Sequence, residues 1–366
     1  MTRDTFSIHF LLAAFLFFLS CGICMLIIRR LRIMDIPNER SSHDRPVPKS
    51  GGVALVSAFL IGVAAIVGFG ESLPIGGGAF VGFVLAAVLI AAISLYDDIR
   101  SGPFFVKLAG QMAAVAVLMY FGLVLTEISL PGFGRMKTGP LGWLISCLWI
   151  LGLTNAYNFM DGLNGMAAGT AVIAASFFSF VSYQQGSTVV YIIGYSLIAG
   201  SLGFLVFNFP GARLFMGDVG SAFLGFVFAT LAIIGAAHES AHTSFLVMPL
   251  LLFHFIFDTS FTFIRRLLRR ENVFAAHRTH LYQLFNQLGS GHVFVSSFHF
   301  AVCMVQGAGA CYLVTIEGGR RLLVFIPYLI FQTLYAVIIM GKARKAGLLA
   351  TSDSAVRSGS VQESHT

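Results

Sequence analysis

The sequence predicts an all-α fold, a polytopic membrane helix bundle of about 11 transmembrane helices with the N-terminus outside and the C-terminus cytoplasmic. Three observations carry that expectation. Of 366 residues, 57% are hydrophobic and only 11% are charged, against about 25% charged in an average soluble domain. The apolar residues fall in long runs, and at about 20 residues per bilayer crossing they could furnish roughly ten crossings with modest loops. The cations lie between these runs, and mostly on one side.

Hydropathy puts the spans near residues 8–28, 51–69, 76–96, 104–125, 141–157, 164–182, 188–207, 220–237, 244–264, 293–315 and 322–341. The first, Ile8 to Ile28, is too long for a signal-peptide core and has no small-residue cleavage site before Arg29 and Arg30, so it is expected to stay as a membrane helix. With alternate loops on opposite faces, 18 of the 23 Lys and Arg residues fall on one side. The other side holds the remaining 5, Arg3, Arg135, Lys137, Arg320 and Arg321. That bias sets the orientation by the preference of cations for the cytoplasmic side.

The formal net charge of +7 is thus spent on topology, and no nucleic-acid partner is implied. Cys21, Cys24, Cys147, Cys303 and Cys311 sit inside apolar runs at no disulfide or zinc spacing and read as packing residues. Residues 1–345 read as a single integral-membrane domain, and the Ser-rich 346–366 as a disordered cytoplasmic tail.

Polar residues are costly near membrane depth, so their placement is informative. Five groups fall on the basic side. The first loop, IPNERSSHDRPVPKSGG, is forced into an irregular path by its prolines and by Gly51 and Gly52, and ends on Lys49 at a helix start. Next, Asp97 and Asp98 are adjacent carboxylates at the end of the third span, where repulsion and the helix macrodipole both call for a cation. A bound Mg²⁺, a substrate proton, Arg100 or Lys107 could supply it.

In NAYNFMDGLNG, Asn155, Asn158, Asp161 and Asn164 recur every third residue, which on a helical turn puts them on one face as a hydrogen-bonding pocket, although Asn and Asp followed by Gly162 also suit a plain turn. After the seventh span, FMGDVGS carries Asp218 just before a new helix, as an N-cap, a metal ligand or both. The last loop carries HRTH, with His277 and His280 on one face if helical and Arg278 between them, a set suited to phosphate oxygens. Asp258, inside the ninth span about two turns before Arg265 and Arg266, reads equally as a functional acid or as one that pairs or snorkels near the interface, and stays outside the core site. His238, Glu239 and His242 spell an HExxH pattern, but in a short external loop away from the other groups.

In this order, the SSHDRPVPKSGG loop, the Asp97–Asp98 pair, NxxNxxDG from Asn155 to Gly162, FMGDVGS around Asp218 and HRTH from His277 to His280 resemble the polyprenyl-phosphate N-acetylhexosamine-1-phosphate transferase family over nearly the whole chain. The resemblance implies that a membrane polyprenyl phosphate attacks the β-phosphorus of a UDP-sugar, with Mg²⁺ required and UMP released. It implies Asp218 as the Mg²⁺ ligand, Asp97 as the group that takes the lipid phosphate's proton or orients its oxygen, and Asp98 as support for the acceptor. Asn158 and Asp161 would help build the nucleotide pocket, while Lys49, Lys107, His277 and His280 would hold phosphates.

Partners would be a UDP-sugar donor, undecaprenyl phosphate, the membrane and a second copy in a homodimer, at the cytoplasmic face of a bacterial inner membrane. Asn164 stands where many members have a second aspartate. The sparser histidine loop and the absence of a further acid after DDIR point to the O-antigen-initiating branch, with GlcNAc, FucNAc or QuiNAc as the sugar. A secondary transporter is the alternative, and its polar site should lie near the bilayer midplane.

Overall fold

Long apolar stretches punctuated by glycine and proline build helices, because inside a bilayer every backbone group must be satisfied within its own segment. The structure, a computed structural model, describes residues 3–30, 33–36, 45–68, 77–100, 102–130, 134–238, 242–275 and 277–349. The helices are α1 (Arg3–Arg30), α2 (Gly52–Gly68), α3 (Gly77–Arg100), α4 (Phe104–Tyr120), α5 (Leu141–Phe159), α6 (Met166–Gln184) and α7 (Thr188–Asn208). They continue with α8 (Asp218–Ile233, running into a π-helical turn at Ile234–His238), α9 (Val247–Leu251), α10 (Phe253–Leu268), α11 (Leu281–Gln287), α12 (His292–Leu313) and α13 (Phe325–Lys345), the last preceded by a 3₁₀ turn at Gly318–Val324.

Each predicted apolar run coincides with one of these helices or with a broken pair. Among the described residues, seven helical segments are long and apolar enough to cross a membrane, and α2 and α4 are shorter apolar helices. The chain is therefore an all-α polytopic membrane protein. Two expectations need correction. The ninth span is not one helix, since α9 ends at Leu251 and α10 begins at Phe253. The fourth ends at Tyr120, short of residue 125, and the chain then forms a hairpin of Glu127–Leu130 (β3) against Gly134–Lys137 (β4). A second two-residue pairing joins Met34–Asp35 (β1) to Val47–Pro48 (β2).

Helix α8 is the axis of the bundle, with every residue from Val219 to Ile233 buried. It packs against α2, α3 and α5, while α1 and α13 lie outermost. Large apolar side chains such as Phe10, Phe18, Leu144, Leu148, Val337 and Ile338 face outward, as a lipid-facing surface requires. All five cysteines are free, and Cys24 and Cys303 are buried, in keeping with packing roles.

One end of the bundle is stitched by loops. Asn208 at the end of α7 accepts from the Gly165 N–H at 2.7 Å and donates to the Leu214 carbonyl at 2.9 Å. Phe215 N–H donates to Pro48 (2.8 Å), Gly51 N–H to Phe215 (2.9 Å) and Gly52 N–H to Met216 (2.8 Å). The segment before α2 thus runs along the segment before α8. The approach is close enough that a Cβ on Gly220 would sit 2.8 Å from the Gly52 Cα.

Candidate active site

The two adjacent aspartates part company. Asp98 is buried and accepts from the Asp218 N–H (3.0 Å) and the Val219 N–H (3.1 Å), so both its oxygens serve the first turn of α8. Those N–H groups have no partner within the helix and carry the positive end of its dipole. The cation expected beside this pair is, for Asp98, a helix N-terminus.

The N-cap expectation for Asp218 is corrected by the same contacts. Gly217 occupies the cap with φ +73° and no side-chain cap bond, Asp218 is the first helical residue, and Asp98 supplies the cap from α3. Glycine is needed at 217 twice over, because a Cβ there would also meet the Asp98 carboxylate at 2.5 Å.

Freed from capping, the Asp218 side chain pairs with Lys107 near the start of α4. Asp97 lies on the other side of the same ammonium, its Oδ2 3.9 Å from Lys107 Nζ, while its Oδ1 accepts from the Gly102 N–H at 2.9 Å. The two carboxylates also face each other directly. Asn158 turns its amide toward Asp218, and its buried Nδ2 has no full hydrogen bond among the described residues. Asp161 is half-buried just past α5; burial, and then the charges of Asp218 and Asp98, push its carboxyl well above the usual carboxylate range. Lys49 adds positive charge facing Asp98.

The expected asparagine stripe is interrupted. Helix α5 ends at Phe159, so Asp161 and Asn164 lie beyond it in a turn. Asn164 donates to the Pro210 carbonyl at 3.1 Å and lies 3.2 Å from His292 Nδ1. Asn155 points to α4, where it exchanges amide hydrogen bonds with Gln111, at 2.8 Å and 3.3 Å. Of the four predicted residues, Asn158 and Asp161 reach the acidic cluster, while Asn155 and Asn164 brace the elements around it.

HRTH is not helical either. His277 to Thr279 form a bend, and His280 precedes the first residue of α11. The His277 and His280 rings still pair, with centroids 4.9 Å apart. His280 is buried behind His277 and donates from Nδ1 to Asp258 at 3.1 Å. Burial, followed by His280, Arg266 and Arg265, holds the His277 imidazole down at about 3. It is therefore a neutral hydrogen-bonding group at physiological pH.

The loop carrying HRTH folds over the site end of the bundle. Phe274 packs on Phe104 at the start of α4, with centroids 5.2 Å apart, and Tyr282 hydroxyl donates to the Phe159 carbonyl at 2.8 Å. Arg278 lies in this loop, its carbonyl accepting from Gln287 at 2.7 Å. The Ser41–Asp44 part of the first loop, Glu239 of the HExxH pattern and residues 350–366 of the tail lie outside the described residues. His238 and His242 sit at the other end of α8 against backbone carbonyls of Val124 and Ala236, both at 3.3 Å.

Among the described residues, no three His, Cys, Asp or Glu side chains converge as a metal centre made of protein ligands alone. Mg²⁺ does not need one, since it takes one or two carboxylates and completes its shell with water and phosphate oxygens. Asp97 and Asp218, facing each other with a lone ammonium between, are a donor set of that kind. The acids also collect at helix ends and not at mid-bundle, unlike a transporter site. Phosphoryl transfer, which consists largely of positioning and charge neutralisation, is chemistry this arrangement can perform.

A polytopic helix bundle with a carboxylate–lysine cluster at one end of its membrane helices defines a class of membrane enzyme centre, and comparison gives the family. Residues 80–236 match the model of glycosyl transferase family 4. The chain is 30% identical over 291 residues, 76% of its own length and 79% of the relative's, to the probable undecaprenyl-phosphate N-acetylglucosaminyl 1-phosphate transferase of Bacillus subtilis. It is also 30% identical over 311 residues to the decaprenyl-phosphate N-acetylglucosaminephosphotransferase of Mycobacterium leprae, covering 77% of each chain. A shorter match, 34% over 159 residues and 42% of this chain, is to the phospho-N-acetylmuramoyl-pentapeptide-transferase of Lactobacillus johnsonii, of which it covers 50%. The chain belongs to the polyprenyl-phosphate hexosamine-1-phosphate transferases of glycosyl transferase family 4.

Proposed function

We propose that this protein transfers an N-acetylhexosamine-1-phosphate from a UDP-sugar to a polyprenyl phosphate of the undecaprenyl type. An oxygen of the lipid phosphate forms a bond to the β-phosphorus, the bond from that phosphorus to the bridging oxygen breaks, UMP leaves, and a polyprenyl-diphospho-sugar remains. The observation that carries this reading is the Asp97–Lys107–Asp218 cluster, two carboxylates about one ammonium at the ends of α3, α4 and α8. A cytosolic nucleotide and a lipid headgroup can both reach such a place.

Asp218, with Asp97 beside it, would hold Mg²⁺, which when bound neutralises charge on the diphosphate. Asp97 takes the acceptor phosphate's proton or orients the attacking oxygen, and Lys107 binds phosphate oxygens. Asp98 acts at one remove, fixing the α8 N-terminus on which Asp218 stands. Asn158 and Asp161 line the nucleotide side, and the neutral His277 donates to a phosphate oxygen beside Arg278, with Lys49 as a further cation on the Asp98 side. The cation bias of the loops supports a cytoplasmic site in a bacterial inner membrane, with the N-terminus outside.

N-acetylglucosamine is the first donor to test, since the relatives in Bacillus subtilis and Mycobacterium leprae are named for it. FucNAc and QuiNAc donors follow, for the O-antigen-initiating reading of the product as the start of a cell-surface polysaccharide. The test is UMP release by purified protein with undecaprenyl phosphate, Mg²⁺ and these donors, beside Asp97→Asn and Asp218→Asn. Release that needs lipid and Mg²⁺ and is lost in both variants is expected. A folded wild-type protein that releases no UMP from any donor would refute the proposal.

A further inference from the structure

We propose that Asp258, an acid buried on α10 and outside the candidate reacting cluster, is a positioning residue that holds the histidine loop and the Asp161 loop in register through α11. The inference rests on the proposed transferase reading for its consequence in catalysis, and on geometry alone for the clamp itself.

Asp258 is 1% exposed, on α10. A carboxylate at such a place is costly unless its oxygens are satisfied. Here Oδ1 accepts from His280 Nδ1 at 3.1 Å, from the Leu281 N–H at 2.9 Å and from the Thr262 hydroxyl at 3.2 Å, while Oδ2 accepts from the Tyr282 N–H at 3.0 Å. The acid therefore does not pair with Arg265 or Arg266, as sequence proximity suggested. Arg265 instead donates to the Thr279 carbonyl at 2.8 Å, a second tether from α10 to the same loop.

Two consequences follow from where α11 is pinned. His280 is fixed at the start of the helix, and its ring sets the place of His277, 4.9 Å away between centroids. Tyr282 is fixed at the second helical position, and from there its hydroxyl donates to the carbonyl of Phe159, two residues before Asp161. The tyrosine hydroxyl also fills the space beside Gly162, so the glycine after Asp161 is required by this contact and not by φ. A single buried carboxylate thus sets the height of both loops over the acidic cluster, with no reach to substrate of its own.

The test compares Asp258→Asn, which keeps the shape but loses the charge, with Tyr282→Phe, which removes the hydroxyl and with it the bond to Phe159 and the contact with the Gly162 backbone. In Tyr282→Phe, KM for the UDP-sugar is expected to rise about 3- to 10-fold, the worth of one neutral hydrogen bond, with KM for the lipid phosphate unchanged. In Asp258→Asn, kcat/KM for the UDP-sugar should fall about 10- to 100-fold, as for bonds to a charged group. The double variant should be little worse than Asp258→Asn, because both act through one linkage.

A readout independent of activity is tryptic cleavage after Arg270 and Arg278 in the detergent-solubilised full chain. Cleavage should be several-fold faster in Asp258→Asn at an unchanged size-exclusion profile. Wild-type cleavage rates in Asp258→Asn, or donor KM values unmoved in Tyr282→Phe, would overturn the clamp. Absence of transferase activity in the wild type with accelerated cleavage in the variant would strike the proposed function and leave the clamp standing.

Discussion

Asp98 reaches across 120 positions of sequence to cap the helix that begins at Asp218. Its two hydrogen bonds, at 3.0 and 3.1 Å, join the end of α3 to the start of α8 and so decide where the Asp218 carboxylate stands relative to Asp97. Neighbours in sequence, Asp97 and Asp98 therefore do unlike work. Asp97 belongs to the carboxylate–lysine cluster with Lys107 and Asp218, and Asp98 to its frame.

That division predicts opposite effects on stability. Asp98→Asn removes a charge from a helix N-terminus that is otherwise uncapped, and should lower the melting temperature by several degrees and activity about 10- to 100-fold. Asp97→Asn removes one of two facing carboxylates while Lys107 keeps Asp218, so it should abolish activity with the melting temperature unchanged or raised. Thermal unfolding in detergent beside UMP release separates the two.

Lys107 is the only side-chain cation among the described residues in ion-pair contact with Asp97 and Asp218. Lys107→Gln leaves the two acids facing without it. Activity should fall about 100-fold, as when a charge-stabilising donor is removed. The variant should also melt lower in EDTA and regain more stability from millimolar Mg²⁺ than the wild type, because a cation that binds only the folded state stabilises it by mass action. A Mg²⁺ response equal to that of the wild type would count against these acids as its ligands.

Gly52 and Gly220 are where the segment carrying Lys49 meets the start of α8. A Cβ on Gly52 would press on the Gly220 backbone and lie 3.0 Å from the Met216 carbonyl oxygen. Gly52→Ala is expected to cost about 1–3 kcal/mol by overpacking and to lower activity through displacement of α8. Ala at Gly68, where a Cβ meets nothing within 4 Å, is the control that should leave activity unaltered.

The histidine loop makes a prediction in pH. His277 is held at about 3 by burial and by His280, Arg266 and Arg265, below the value near 6.5 of an unfolded chain. Between those values the unfolded state binds the extra proton. Stability from this group is therefore complete above about pH 6.5 and is lost as pH falls toward 3. His277→Gln should lessen the drop in melting temperature between pH 7.5 and pH 5, and the pH at which kcat/KM is half-maximal should not move.

The helices and the ordered motifs were legible because their signals are local. Apolar runs of bilayer length marked the helices apart from α11, which lies in a stretch read as loop, and the polar residues at one set of helix ends marked the candidate site. What the sequence hid was pairing at long range. Nothing near Asp98 reveals that it caps a helix beginning at Asp218, nor does anything near Asp258 point to His280 and the N–H groups of Leu281 and Tyr282.

The stripe from Asn155 to Asn164 failed for a different reason. The spacing allows a helical face, but Asp161 and Gly162 also suit a turn, and the chain leaves the helix there because turn chemistry outweighs periodicity. Gln111, which brackets Asn155, has a signal in the sequence too: an amide inside an apolar run, one turn beyond Lys107.

The most direct measurement follows the β-phosphate. With a donor radiolabelled at that position, undecaprenyl phosphate and Mg²⁺, the label should pass into the organic-extractable lipid while unlabelled UMP appears in the aqueous phase, and Asp218→Asn should abolish both. Label that stays aqueous as UDP while sugar moves to the lipid, or transfer undiminished in Asp218→Asn, would contradict sugar-1-phosphate transfer at the Asp97–Lys107–Asp218 cluster.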